Sequence, residues 1–227
     1  MKLNYSYTTL VDQAYIITIK GNEKSERYSK RCQDSCDAVG QAWQIWDAYD
    51  GTGKGLIVPS HSASNAIMNM MKVTDNNMTL SELACALSHI SLWSLCAELD
   101  KPIVILEHDA IMLRQFTEIG SLNSVIYLGC HEWYEKKSQM YSIPLMGIDG
   151  PNNHFLLRTH AYAIDPLVAR NLIADVIKRG IWYTVDRMIQ SNLYNITHQG
   201  MYAYDNRLAG DDTTIIGRTH PDNKKDA

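Results

Sequence analysis

The sequence predicts an α/β fold: a single domain in which a mixed, mostly parallel β-sheet is covered by helices. Short apolar runs of strand length alternate with helical segments along the chain, which is typical of parallel sheets. The 227 residues are 45% hydrophobic and 20% charged, the composition of a packed globular protein. No repeat or linker-like stretch divides the chain, so we expect one domain over residues 1–227, with a disordered tail at 218–227.

The N-terminal part of the chain predicts a strand, a helix and a second strand. "AYIITI" at 14–19 is rich in β-branched residues and ends at a Lys-Gly-Asn turn. Residues 23–38 follow with many charges and a weak helical period. "WQIWD" at 43–47 alternates apolar and polar residues, which favours a strand. Residues 51–78 have no clear period, so we expect a long loop with one short helix near "SNAIMNMMK".

The segment "TLSELACALSHISLWSLCAEL" predicts the longest helix, over residues 80–98. Thr79 and Glu82 form a capping-box pattern at its start. Leucine and isoleucine then recur at helical spacing along one side. A Lys-Pro pair ends the helix and leads into the apolar run "IVIL", so we expect a strand at 103–107.

The C-terminal half predicts two more strands and two helices. "SVIYLG" and "THAYAI" indicate strands at 124–128 and 160–164, separated by a long polar, aromatic-rich loop. An Asp-Pro pair then begins a helix that ends at Gly180, since proline is favoured in the first helical position and glycine just past the end. A last short helix is expected at 185–193.

The bulk composition argues against several functional classes. The net charge is −4 and the chain has no long basic stripe, so strong nucleic-acid binding is not expected. Its five cysteines lack the spacing of a disulfide framework, which favours reduced thiols. No signal-like stretch begins the chain, and no run reaches the roughly 18 apolar residues of a membrane span. We therefore expect a cytoplasmic protein without a membrane span.

The run "IVILEHDAIML" places two carboxylates and an imidazole directly after a buried strand. In an extended segment Glu107 and Asp109 would point one way and His108 the other. Ligands bind at this carboxyl end of the strands in open α/β sheets. Two carboxylates there suit Mg²⁺ or Mn²⁺, which prefer oxygen ligands and bridge phosphates. The alternative is a strand end whose acids are solvated or paired with an arginine.

The order of several segments resembles glycosyltransferase family 25, the relatives of the lipooligosaccharide and collagen galactosyltransferases. These segments are "AYIITIKGNEKSERYSKR", "WDAYDG", "SELACALSHISLW", "IVILEHDA", "VIYLG" and "THAYAIDPLVARNLI". The most specific part is a helix ending in Ser-His-x-x-x-Trp that is followed directly by the Leu-Glu-x-Asp strand. The family's motif usually reads Leu-Glu-Asp-Asp, and here His108 replaces the first Asp.

The resemblance implies a GT-A-like, Rossmann-related fold and a nucleotide-sugar donor, usually a UDP-hexose. It also implies an inverting transfer of galactose or glucose to the hydroxyl of an unknown glycan, protein or other acceptor. Mn²⁺ (or Mg²⁺) would stabilise the leaving diphosphate. The implied metal ligands are Glu107, Asp109 and His160. His160 is also compatible with a bond to a donor phosphate or with a structural role.

Asp186 in "WYTVDRMIQ" is the candidate catalytic base, because it resembles the family's Val-Asp position. Such a base takes the proton of the acceptor hydroxyl. The alternative is structural, since Asp186 would lie in the first turn of a helix capped by Thr184, where the helix dipole favours any carboxylate. Asp211 and Asp212 in "GDDTT" are expected on the acceptor side.

Four further residues are candidate donor contacts: Asp50, Ser88, His89 and His108. Asp50 is explained equally well by a turn, and core packing is the alternative for Ser88 and His89. Two other functions stay open. A nucleotide-sugar hydrolase would use the same acids to activate water, and a degenerate family member would bind a nucleotide sugar without turnover. His108 keeps the second alternative open.

Overall fold

The computed structural model describes residues 9–60, 71–75, 77–119, 124–129, 143–144, 156, 159–198 and 201–205. Its helices are α1 (Glu23–Val39), α2 (Leu80–Leu99), α3 (Pro166–Arg179) and α4 (Val185–Met188). Its strands are β1 (Thr9–Leu10), β2 (Ala14–Thr18), β3 (Trp43–Asp47), β4 (Ile103–Glu107), β5 (Ala110–Met112), β6 (Glu118–Ile119), β7 (Val125–Tyr127), β8 (Ile143–Pro144), β9 (Ala161–Ile164), β10 (Ile196–His198) and β11 (Ala203–Asp205).

The main sheet has seven strands in the order β3-β2-β4-β9-β7-β10-β8. The pairs β2–β3, β2–β4 and β7–β10 are parallel. Strand β9 runs antiparallel to both of its neighbours, β4 and β7, and β8 runs antiparallel to β10. All five predicted strands lie in this sheet. The predicted α/β class with a mixed sheet is confirmed, and five of the seven strands run in the same direction.

Helices cover both faces of the sheet. Alternate side chains of β4 enter opposite layers: Ile103 and Ile105 join the cluster that contains α2 and α3, while Val104 and Leu106 join the cluster that contains Cys32 of α1. This alternation follows from the two-residue period of a strand. The residue that follows Leu106 therefore faces α2.

Helix α2 begins with the predicted capping box. The Thr79 hydroxyl accepts a hydrogen bond from the Glu82 amide at 3.2 Å, and the Glu82 carboxylate accepts one from the Thr79 amide at 2.9 Å. By length and composition α2 is able to cross a membrane. However, 67% of the apolar 18-residue stretch that would do so is buried inside the protein. A buried core helix has the same composition, so α2 is weak evidence for a membrane span.

The final predicted helix is shorter than expected. Helix α4 ends at Met188, not near residue 193, because Ile189 adopts an extended conformation with ψ 105°. The Ile189 side chain is fully buried, and its carbonyl accepts a hydrogen bond from the Leu156 amide at 3.0 Å. This long-range contact outweighs local helix propensity. The predicted short helix near "SNAIMNMMK", the loop between 130 and 156 and the tail at 218–227 fall largely or wholly outside the described residues.

Candidate functional site

The candidate site lies at the carboxyl end of β4, where the chain passes between the layers of α1 and α2. Glu107 is the last residue of this strand, and residues 108–109 form a turn that leads into β5. Strand β5 pairs antiparallel with β11. The acidic tripeptide Glu107-His108-Asp109 therefore occupies the sheet edge at which the sequence predicted ligand binding.

Glu107 faces the α2 layer and is held there by its neighbours. Its Oε1 atom accepts a hydrogen bond of 2.8 Å from the Thr159 hydroxyl and lies 3.6 Å from Nε2 of His89. The Glu107 amide also donates to the His160 carbonyl at 2.8 Å. Its side chain is 24% exposed, so the carboxylate stays accessible from solvent.

His89 is fully buried beneath Glu107. Its Nδ1 lies 2.9 Å from the Tyr162 hydroxyl, which also accepts a 2.9 Å hydrogen bond from the Trp93 indole. The rings of His89 and Tyr162 stack with an interplanar angle of 12°. Nε2 of His89 has no hydrogen-bond partner within the part of the chain that the structure describes. A buried ring nitrogen without a partner is uncommon in proteins and invites an explanation.

Cys85 lies one helical turn before His89, on the same side of α2. The Cys85 sulfur, a His89 ring nitrogen and a Glu107 carboxylate oxygen lie within 4.8 Å of one another. Shielding from water raises the pKa of the Cys85 thiol well above its ordinary value, and the charges of Glu107 and Asp186 raise it further. This cluster contains three types of metal-binding side chain.

His108 points to the opposite face of the sheet, as predicted for neighbours on a strand. Its Nδ1 lies 3.3 Å from the Ser25 hydroxyl, and its ring centroid lies 5.9 Å from that of Tyr28. Both contacts belong to α1. His108 therefore links the end of β4 to the first turns of that helix.

Asp109 lies in the turn, where the strand alternation no longer applies. Its charge contributes to raising the pKa of the Cys85 thiol. It also makes a smaller contribution to the raised pKa of Cys32, which is caused first by a hydrogen bond to Cys36 and by burial. The Asp109 charge thus acts on thiols of two helices that lie on opposite faces of the sheet.

The His160 ring is buried next to this edge. It packs edge-on against Tyr127, with ring centroids 5.8 Å apart, and it fills the space above Gly129, where an added Cβ would lie 2.3 Å from its Nε2. Glu107 and His160 are neighbours across the β4–β9 pair. Glu107 and His160 are thus neighbours in the backbone of the sheet, whereas the cluster of metal-binding atoms within 4.8 Å that the described residues form contains Glu107 but not Asp109 or His160.

Asp186 reaches the same region from α4, which packs against α2. Burial raises the pKa of its carboxyl group, and the Glu107 charge raises it further. A 2.5 Å hydrogen bond from the Thr184 hydroxyl and the charge of Arg187 act in the opposite direction. Asp186 is therefore within electrostatic range of Glu107, although the two residues are distant in sequence.

The other predicted donor contacts have clear structural partners. The Asp50 carboxylate accepts hydrogen bonds from the amide and the hydroxyl of Thr52, at 2.8 and 2.6 Å, which makes a turn. The Ser88 hydroxyl donates to the Ala84 carbonyl at 2.8 Å and accepts from the Tyr49 amide at 3.0 Å. These contacts agree with the structural alternatives. The predicted acceptor-side residues, Asp211 and Asp212, lie outside the described residues.

Two residues near the site were not predicted from the sequence. Cys85 had a detectable signal, since it precedes His89 by four residues on a helix and shares its face. Asp205 had none, because only the pairing of β11 with β5 places this buried carboxylate opposite Ala110, beside the acidic tripeptide.

Comparison with protein families gives a match over most of the chain. The model of glycosyltransferase family 25, described as an LPS biosynthesis protein, matches residues 11–189. The matched range includes the segment from β2 to α4, and with it Glu107, Asp109, His160 and Asp186. A search of curated proteins gives no significant match.

Proposed function

The chain belongs to glycosyltransferase family 25, and from this premise we propose that it transfers a hexose, galactose or glucose, from a UDP-sugar to an acceptor hydroxyl with inversion. The acceptor is a glycan, a protein or another hydroxyl compound. The observation that carries this proposal is the packing of α4, which contains Asp186, against α2, the helix whose His89 contacts Glu107 at the carboxyl end of the sheet. A candidate base and a candidate metal ligand from different parts of the chain then share one site.

Asp186 serves as the general base. Inversion requires one direct displacement at the anomeric carbon, so a base must remove the acceptor's proton as its oxygen attacks. A buried carboxylate with a raised pKa is a stronger base than an exposed one. The hydrogen bond from Thr184 holds one carboxylate oxygen in place. Asp186 ends the step protonated, and the nucleoside diphosphate leaves.

Glu107, Asp109 and His160 are the proposed ligands for Mn²⁺ or Mg²⁺. Two carboxylates at the sheet edge provide the oxygen donors that these ions prefer. The His160 ring adds a nitrogen whose position is set by Tyr127 and Gly129. When bound, such a cation offsets the negative charge that develops on the leaving diphosphate. This donor set fits a hard divalent ion.

The remaining proposed contacts come from other parts of the chain, and two of them, Asp50 and Ser88, also have the structural partners described above. His108, Asp50, Ser88 and His89 are assigned to the donor side. His108 stands where the family usually has a carboxylate, and its contact with Ser25 connects the donor site to α1. The replacement removes one negative charge next to the proposed metal. It also favours a second candidate function, a protein that binds the nucleotide sugar without turnover.

The test measures UDP release from several UDP-sugars with Mn²⁺, in the presence and absence of an acceptor extract. We expect acceptor-dependent release that is lost on chelation of the metal and in Asp186→Asn. Asp34→Asn is the control, because Asp34 is an exposed residue of α1 that pairs with Lys30. Equal release without acceptor would indicate a hydrolase. UDP-sugar binding without release would indicate the non-catalytic alternative.

A further inference from the structure

We propose that Cys85, His89 and Glu107 form a binding site for a borderline divalent cation, with Zn²⁺ as the preferred ion. This site differs from the proposed Mn²⁺ or Mg²⁺ site in its ligands, and the two share only Glu107. The inference does not depend on sugar transfer, since ion binding is measured without donor or acceptor.

The geometry of the three side chains suits a tetrahedral ion. The ligand atoms lie within 4.8 Å of one another, and the nitrogen and oxygen of His89 and Glu107 are already 3.6 Å apart. Ligand atoms around a tetrahedral zinc lie roughly 3.3–3.8 Å apart, given metal–ligand bonds of about 2.0–2.3 Å. The Cys85 sulfur, which lies within 4.8 Å of both atoms, would have to move closer to them to complete the site.

The unpartnered nitrogen of His89 is the second and independent observation. His89 is fully buried, and its Nε2 is directed at Glu107 without a hydrogen-bond partner in the described ranges. Leaving a buried polar atom unsatisfied costs free energy. A cation at this position would give the nitrogen a ligand bond.

Surrounding hydrogen bonds orient two of the ligands. The Tyr162 hydroxyl is hydrogen-bonded to Nδ1 of His89 and also accepts a hydrogen bond from the Trp93 indole. The Thr159 hydroxyl donates a hydrogen bond to Oε1 of Glu107. Metal-binding histidines usually have such a partner on the second ring nitrogen, and ligating carboxylates are likewise hydrogen-bonded. The outer contacts of a metal site are thus already in place.

The chemistry of the donor set selects the ion. One sulfur, one imidazole nitrogen and one carboxylate oxygen suit Zn²⁺ or Co²⁺, whereas Mg²⁺ and Mn²⁺ prefer oxygen. Binding converts the Cys85 thiol into a thiolate ligand and releases its proton to solvent. Three protein ligands leave the fourth tetrahedral position for a water molecule.

The site is tested with Co²⁺ as a spectroscopic probe, added to metal-free, full-length protein. We expect one bound Co²⁺ with a thiolate-to-cobalt charge-transfer band in the near ultraviolet, which Zn²⁺ displaces. Cys85→Ser should lose this band and weaken Co²⁺ binding by at least about tenfold. Cys96→Ser is the matched control on the same helix, since the Cys96 sulfur lies away from the cluster, within hydrogen-bond distance of the backbone carbonyls of Lys101 and Ile164. It should keep the band.

Folded wild-type protein without the band, or an unchanged band in Cys85→Ser, would overturn the proposal. Asp109→Asn separates the two metal sites, because it should keep the cobalt band while losing Mn²⁺-dependent UDP binding. Loss of the band in Asp109→Asn would show that no separate site exists. If the wild-type protein has no band but still transfers sugar, the zinc site alone is rejected.

Discussion

Glu107 and His89 meet at the carboxyl end of β4, where Oε1 of the carboxylate lies 3.6 Å from Nε2 of a fully buried imidazole. One residue ends a strand and the other lies within α2, so their contact joins the main sheet to its longest covering helix. It also places a carboxylate, an imidazole and the Cys85 thiol around one small volume. The predictions below concern the residues around this contact.

Asp109→Asn should abolish Mn²⁺-dependent binding of UDP. The amide that replaces the carboxylate lacks the negative charge that a hard cation requires. The melting temperature should change little, because asparagine has nearly the same size and shape as aspartate. Calorimetric titration of UDP with Mn²⁺ present measures the effect, with Asp34→Asn as the control. Unaltered binding would mean that Asp109 is not a metal ligand.

Asp186 should determine the acidic limb of the pH–rate profile. Burial and the Glu107 charge raise its pKa, so the limb should lie above the pH expected for an ordinary aspartate. Because only the ionised base accepts a proton, kcat/KM should rise as the pH rises through this pKa. It should fall as the pH drops below this pKa.

Arg187→Ala should move the same limb to higher pH. The positive charge of Arg187 lowers the pKa of Asp186, so its removal lets that pKa rise. Arg187→Lys keeps the charge and serves as the control. Profiles of kcat/KM against pH for the three proteins measure the shift. An unmoved limb in Arg187→Ala would assign it to another group.

His108→Asp should preserve or modestly raise metal-dependent turnover. Asp is the usual family residue at this position, and its carboxylate is able to accept a hydrogen bond from the Ser25 hydroxyl in place of Nδ1. His108→Ala should weaken donor binding by about 0.5–1.5 kcal/mol, the worth of one hydrogen bond.

Titration of both His108 variants with Mn²⁺, Mg²⁺, Co²⁺ and Zn²⁺ during UDP-sugar turnover checks this prediction. The ranking of the metals should be the same in wild type and His108→Asp, since His108 faces α1 and not the cluster of Cys85, His89 and Glu107. A changed ranking would show that His108 itself ligates the metal.

Gly129→Ala should displace the His160 ring. The added methyl group would lie 2.3 Å from Nε2 of His160 and 2.8 Å from the Tyr127 hydroxyl, so these side chains must move. We expect weaker Mn²⁺-dependent UDP binding and a lower melting temperature. Gly53→Ala is the matched control, because its added Cβ meets nothing within 4 Å. Wild-type UDP affinity in a folded Gly129→Ala protein would remove His160 from the donor site.

Much of the fold follows from local sequence patterns. The apolar runs at β2, β4 and β9 are short and bounded by turn residues. Such runs predict strands without any knowledge of which elements will pack beside them. The two residues of the Thr79–Glu82 capping box are only three positions apart, so the sequence alone predicts where α2 begins. The opposite directions of Glu107 and His108 follow in the same way from the strand period.

Tertiary structure alone decided which of these elements are neighbours. Nothing local shows that β9 lies antiparallel between β4 and β7, or that β11 brings Asp205 beside Ala110. The cluster of Cys85, His89 and Glu107 likewise depends on packing α2 against the end of β4. The spacing of apolar residues in a short segment predicts which side of a helix or strand is buried. Its partner is selected by the packing free energy of the whole chain, which long-range contacts determine.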